Sequence, residues 1–363
     1  MRVLLLGEFS SLHRYLKEGL QELGGIEVEL YANGDGWKKI TGADGVLYNS
    51  GSNFINRVYN YFIDAYKKAN TFQEYDVVQI VNPTIYPDFI NETILRLIAK
   101  KNKSLSVVAA GYSEALVNAY QSGIFDYYVY DYDKYSVNRY TEDSFRNKLI
   151  IHNEKWVNKH ADIIIPSLYE YTVGYKSEDL HKLHNVIPFP INLSDLKYQE
   201  NNPKNKVVFF HGINRELAKG TPFIREALEK LQEKYPNDVE VIIDGKMPFK
   251  EYVEVMQRAN VVVDQCCSYG YGINACIAMA QGKVVVSGAR QETLNAFGIE
   301  KTPMLCAKPD VGYLYNQFEC ILQQKKNLTQ WGYDSRQYVE NLHDHVKVAQ
   351  QYVDAWKSTG KIV

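Results

Sequence analysis

Arg215 and Lys219 share a loop, residues 211–221, between an apolar run and a helical pattern that opens at Pro222. A guanidinium forks onto two phosphate oxygens and an ammonium adds a point charge, so the pair suits the two phosphates of a diphosphate. Thr221 is placed to cap the helix, with Pro222 in its first position. Further on, the small-residue stretch Ser268-Tyr269-Gly270-Tyr271-Gly272 runs from an apolar strand into Ile273-Asn274 and an Ala-rich helix. Backbone N–H groups at Gly272 and Ile273, together with the helix dipole, favour an anion there. In the first half, Gly7-Glu8-Phe9-Ser10-Ser11 forms a short loop after the opening apolar run, suited to a phosphate or a sugar, and His13 follows it. Gly111-Tyr112-Ser113-Glu114 stands in the same relation to the run 107–110.

These loops need strands before them and helices after them. Val3 to Leu6 reads as a strand, 12–23 as an amphipathic helix ended by Gly24-Gly25, and 27–31 as a second strand. Apolar runs at 77–81, 106–110 and 162–165 continue the strands, with helical patterns at 90–101 and 144–159 between them. Asn185 to Asn192 carries two prolines and leads into the polar run 199–205, the best domain boundary in the chain. The pattern then restarts: strands at 207–210, 239–243, 260–263 and 284–286, and helices at 222–234, 249–258 and 273–280. One long helical pattern closes the chain, from about Tyr333 to Trp356. Strands alternating with helices predict α/β architecture with parallel, doubly wound sheets. The loop after the first strand lacks the GxGxxG pattern, so a nicotinamide cofactor is not indicated.

Composition excludes several classes. Of 363 residues, 45% are apolar and 23% charged, as in globular proteins, and the length predicts two domains. A net charge of −2 gives no basic field for nucleic acid. The five cysteines, Cys266, Cys267, Cys276, Cys306 and Cys320, form no CxxC pair. They suit a reducing compartment, with the vicinal pair read as small buried hydrophobes. The N-terminal apolar run is too short for a signal peptide, and no run approaches the ~20 residues of a membrane span. The 29 tyrosines cluster at 127–135, where they fit half-buried packing first and sugar stacking second.

Taken in order, Phe210-His211-Gly212, Arg215, Lys219-Gly220, Arg258 to Val263, Ser268 to Gly272 and Ala278 to Val285 resemble the donor domain of GT-B glycosyltransferases of the family 4, "group 1" type. Gly7 to His13, Ala161-Asp162 with Ser167, and Val186 to Asn192 match the N-terminal half more loosely. The resemblance implies two Rossmann-like, doubly wound domains facing across a cleft. Residues 1–192 would bind the acceptor, 193–340 the nucleotide-sugar donor, and a C-terminal helix at about 340–363 would pack back on the first domain. The implied activity is retaining, metal-independent transfer of a sugar from a UDP- or GDP-linked donor to a glycan or lipid-linked acceptor in surface polysaccharide synthesis. The implied setting is cytoplasmic, with peripheral contact at the inner face of the membrane; Lys67-Lys68 and Lys100 to Lys103 are candidates for that contact and equally charged helix ends.

By the same resemblance, Arg215, Lys219, Gly272 and Ile273 bind the donor diphosphate. Ser268, Tyr269, Gly270, Tyr271, Asn274 and Glu292 line the sugar and ribose, and Gly7, Ser10 and Ser11 form the acceptor loop. Glu114 and His13 are the catalytic candidates, although Ser113-Glu114 also reads as a helix cap with a first-turn acid and His13 as an ordinary helical residue. One departure matters. The family's Glu-x7-Glu pattern falls on Tyr269 and Ile277, and losing a charged hydrogen bond to ribose costs roughly 1.5–3 kcal/mol. Either Asn274, Tyr269, Ser287 and Glu292 take over these contacts, or donor binding has degenerated into a non-catalytic sugar- or nucleotide-binding role. A GT-B epimerase or phosphorylase is a third reading.

Overall fold

The computed structural model describes residues 1–32, 42–48, 59–134, 138, 141, 144–245 and 247–362. The chain forms two compact units. One comprises Met1–Ser122, Val137–Asn192 and His345–Val363; the other comprises Gly123–Ser136 and Leu193–Asp344. Residues 123–136 thus fold with the second unit, although they fall within 1–192 in sequence.

The first unit is built on a parallel sheet of strands β1 (Arg2–Leu6), β2 (Glu27–Ala32), β3 (Gly45–Val46), β4 (Val77–Ile80), β5 (Ser104–Ala109) and β6 (Ile163–Pro166), in the order β3-β2-β1-β4-β5-β6. Val3 to Leu6 are fully buried, as expected where helices cover both faces of a parallel sheet and the strands become unbroken apolar runs. The helix Leu12–Leu23 buries Leu12, Tyr15, Leu16 and Leu20 along one stripe, and Gly24 ends it. Strand order reverses between β1 and β4. Ligands of open α/β sheets bind beyond the carboxyl ends at such a point, which here is bordered by the loop after β1.

The second unit has a parallel sheet of β7 (Val207–Gly212), β8 (Val239–Asp244), β9 (Val261–Val263), β10 (Val284–Ser287) and β11 (Leu305–Cys306), ordered β11-β10-β9-β7-β8. Its reversal lies between β7 and β9, so the loop carrying Arg215 and the loop carrying Ser268 to Gly272 flank it. Phe209, Val261, Val286, Phe318 and the paired Cys266 and Cys267 form its core. The vicinal cysteines are buried thiols, as their sequence context predicts.

The closing helical pattern is two helices, not one. Leu328–Leu342 belongs to the second unit and His345–Ser358 to the first. At the break His343 is fully buried with Nε2 3.0 Å from the Tyr271 hydroxyl, an anchor that no Gly or Pro announces in the sequence. Among the described residues, no helix is long and apolar enough to cross a membrane.

Candidate functional site

The second-unit site begins at the end of β7. His211 is fully buried; its Nδ1 donates to the Val263 carbonyl (2.7 Å) and its Nε2 accepts from Thr221 Oγ1 (2.9 Å), stitching the ends of β7 and β9 together. Burial lowers its pKa to about 4, so the ring is neutral. The loop that follows contains a short helix, Glu216–Lys219. Gly220, at φ 74°, then stands at the cap position expected of Thr221, whose hydroxyl is committed to His211. A Cβ at Gly220 would collide with the sulfurs of Cys266 and Cys267, so close approach and a left-handed backbone both demand glycine here.

Arg215 is exposed at the start of the Glu216–Lys219 helix. Lys219 is not: its side chain is 8% accessible and its Nζ donates to Asp264 Oδ1 at 2.8 Å. Asp264, at the end of β9, also accepts from Ser287 Oγ (3.1 Å) and from the backbone N–H of Gly272. Burial pushes its carboxyl up, but Lys219 and these donors outweigh burial and hold it below the usual range. The expected diphosphate residues Lys219 and Gly272 therefore meet on one buried carboxylate beneath the N-terminus of the helix Ile273–Ala280. Sequence reasoning passed over Asp264; the signal available was an acid ending an otherwise apolar strand at the reversal point.

The residues expected to line the sugar divide into two groups. Tyr269 is buried, its hydroxyl accepts from Asp126 N (2.7 Å), and the Arg290 guanidinium lies 4.4 Å over its ring. Arg290 also pairs with Glu292 (3.3 Å) and Asp126 (2.8 Å), so Tyr269 and Glu292 share one cationic partner. Gly270 offers its carbonyl to Gln265 Nε2 (3.0 Å), Ser268 is half-buried and Asn274 is exposed. Tyr271 turns into the core, where its hydroxyl meets Tyr338 (2.7 Å) and His343 (3.0 Å). Ile273 is buried and Ile277 half-buried.

In the first unit Gly7 adopts φ 81°, and Ser10 (φ 53°) and Ser11 (φ 70°) are consecutive left-handed residues, a conformation that non-glycine residues keep only where their surroundings impose it. Glu8 is buried and accepts from Arg14 N (2.7 Å) at the start of the helix Leu12–Leu23. Burial raises its pKa to about 7 despite these backbone donors and the nearby Arg14. His13 is fully buried. Its Nδ1 donates to the Gly7 carbonyl (2.8 Å) and its Nε2 accepts from Gln79 (3.3 Å), while burial lowers its pKa to about 4. Ser113 caps the helix Glu114–Gln121 by accepting from Leu116 N (3.1 Å). Glu114 opens that helix and lies 3.4 Å from Lys155. Its N–H is held by Glu154 (2.7 Å), a buried carboxyl whose pKa burial raises to about 7.

No protein-family model matches this chain, and no curated protein matches it in sequence. Solved structures do match. A sucrose-phosphate synthase from Thermosynechococcus elongatus superposes with a TM-score of 0.63 at 16% identity, over 99% of each chain. HepE of Anabaena, solved in complex with UDP-glucose, gives 0.60 at 13% identity over 99% of this chain and 100% of that one. A UDP-GlcNAc 2-epimerase from Neisseria meningitidis, bound to UDP-GlcNAc, gives 0.57 at 13% identity over the same shares. The fold is GT-B. At these identities the likeness is one of architecture, and the family 4 resemblance rests on the motifs quoted above.

Within this GT-B chain the second-unit loops bring Lys219 together with Gly272, and Tyr269 together with Glu292, through Asp264 and Arg290 respectively. Tyr271 points away from both groups.

Proposed function

We propose that the protein is a glycosyltransferase. It takes a sugar from a UDP- or GDP-linked donor and passes it, with retention and without a metal, to a glycan or lipid-linked acceptor in surface polysaccharide synthesis. The observation that carries this reading is the strand-order reversal between β7 and β9 on a GT-B chain, flanked by the Arg215 loop and by the helix start at Gly272 and Ile273. Two of the matching structures, HepE in complex with UDP-glucose and the 2-epimerase bound to UDP-GlcNAc, support the donor class.

In this proposal Arg215 and the Ile273 N–H at the helix start stabilise the charge that grows on the β-phosphate as the sugar departs, while the Gly272 N–H is held by Asp264. Lys219 serves through Asp264, tying the end of β9 to the first turn of that helix. Ser268, Tyr269, Gly270, Asn274 and Glu292 line the sugar and ribose. A donor phosphate oxygen takes the acceptor proton, so no carboxylate pair is required. In the first unit Gly7, Ser10 and Ser11 receive the acceptor and Glu114 orients its hydroxyls. His13, buried and neutral, is proposed to position the Gly7 carbonyl rather than to move a proton.

Calorimetric titration with UDP, GDP and ADP tests the site. One nucleotide should bind, and Arg215→Ala should weaken it about 10-fold or more, since a charge-assisted hydrogen bond is worth roughly 1.5–3 kcal/mol. Unchanged affinity would remove Arg215 from the site. A second reading, a non-catalytic nucleotide- or sugar-binding protein, is favoured by one specific observation: Tyr269 and Ile277 stand where carboxylates were expected, and Tyr269 is buried. Slow hydrolysis of a bound nucleotide-sugar would exclude it.

A further inference from the structure

Residues 125–132 run across the carboxyl-end loops of the second sheet. After β11, the Tyr127 hydroxyl donates to the Ala307 carbonyl (3.2 Å). After β10, Arg290 pairs with Asp126 (2.8 Å). After β9, Tyr269 accepts from Asp126 N and packs edge-on against Phe125, with ring centroids 5.2 Å apart. After β7, the helix Val129–Tyr132 packs against Glu216–Lys219, and Tyr132 meets Phe223 at 5.3 Å and reaches the core cluster of the unit. The same segment therefore packs on both the loop assigned to the diphosphate and the loop assigned to the sugar, leaving Arg215 and Asn274 exposed. Beneath it the Lys219 ammonium is paired with Asp264 and has little access to solvent.

We propose that residues 125–132 form a strap over the buried part of the nucleotide site, at Tyr269 and the Glu216–Lys219 helix, pinned by the Asp126–Arg290 pair and the Tyr127 hydroxyl, and that nucleotide binds fully only as the strap is released. The proposal rests on the donor reading above and adds its regulation. The charged pin is open on one side: the Asp126 side chain is 70% exposed although Arg290 is only 19% so, and pairs that solvent reaches contribute little. An aromatic underside with a polar fastening that solvent reaches at Asp126 is what a reversible cover requires.

The test compares the full chain with Asp126→Asn/Tyr127→Phe, which removes both pins while keeping the packed rings. Two readouts are used: titration with UDP, GDP and ADP, and amide exchange over 125–132. In the variant, exchange should rise several-fold without ligand, and nucleotide should bind about fivefold tighter, matching the loss of two weak contacts. In the unaltered chain, saturating nucleotide should speed exchange of the same amides. Unaltered exchange in the variant, unchanged or weaker binding by it, or slower exchange on adding nucleotide to the unaltered chain overturns the strap and leaves the donor reading standing; weaker binding would make the segment a wall of the site. If none of the three nucleotides binds either form, the donor reading falls and the strap falls with it.

Discussion

Lys219 and Asp264 decide how the second-unit site is held. Both are buried, and removing one partner of such a pair costs about 3–5 kcal/mol, whereas replacing both with apolar groups can be nearly neutral. Lys219→Met should therefore destabilise the protein by about 3 kcal/mol or more at pH 8 in urea unfolding, and Lys219→Met/Asp264→Leu should recover most of that loss. The pH dependence has a definite sign. In the unaltered chain the Asp264 pKa is held low, so its contribution is present above the ordinary carboxyl range and lost as pH falls through the folded value. Without Lys219, burial dominates and the folded pKa rises, so stability is lost as pH rises through it; Lys219→Met should be less damaging at pH 5 than at pH 8. Equal damage at both values would show that the carboxylate is compensated by something other than Lys219. The sequence identified Lys219 as basic and well placed, but composition does not reveal whether a lysine faces ligand or a partner acid. That depends on β9 ending beside β7, a register no local pattern encodes.

Helices and strands were far more legible, because in parallel sheets the apolar run itself is the strand. The helices 12–23, 249–258 and 273–280 fall where their periodicity places them. The two-residue strands β3 and β11 escaped, being too short to show a period. So did the break at His343, which is made by a buried hydroxyl contact instead of a helix-stopping residue. The helix His345–Ser358 does specific work in the first unit. Trp356 Nε1 and Ser106 Oγ both donate to Gln79 Oε1 (3.0 and 3.1 Å), Gln79 donates to His13, and His13 donates to the Gly7 carbonyl, so a buried polar chain links this helix to the loop after β1. The helix also presses on Gly19. Glycine to alanine inside a helix normally gains about 1 kcal/mol, but a Cβ at Gly19 would collide with the His345 carbonyl and meet Ala349 Cβ at 3.0 Å. Backbone yields little, so Gly19→Ala should lose about 1–3 kcal/mol in urea unfolding, reversing the usual sign. A gain would mean that the two helices are not packed this closely.

At the scale of the whole molecule, each unit is completed by a segment distant in sequence: Gly123–Ser136 in the second and His345–Val363 in the first. Local composition marks where a chain turns, as at 185–192, but not where other parts of it return: the packing back of the C-terminal helix is implied only by the family resemblance, and nothing local signals that 123–136 joins the second unit. The consequence is thermodynamic. Val348, Ala349, Tyr352, Ala355 and Trp356 are essentially fully buried within the first unit. Burying a single large apolar side chain contributes about 1.5–3 kcal/mol, so losing this set removes an amount comparable to the 5–15 kcal/mol that holds a typical domain folded. Residues 1–192 expressed alone should therefore keep secondary structure yet lack fixed packing: far-UV dichroism retained, near-UV signal weak, and a dye for exposed apolar surface bound strongly. Adding a peptide of residues 345–363 should restore the near-UV signal in a saturable way. The same peptide carrying Trp356→Ala should fail to do so, since the indole both fills the core and supplies the donor to Gln79. A cooperative, dye-free fold of 1–192 on its own would show that the C-terminal helix decorates the first unit instead of completing it.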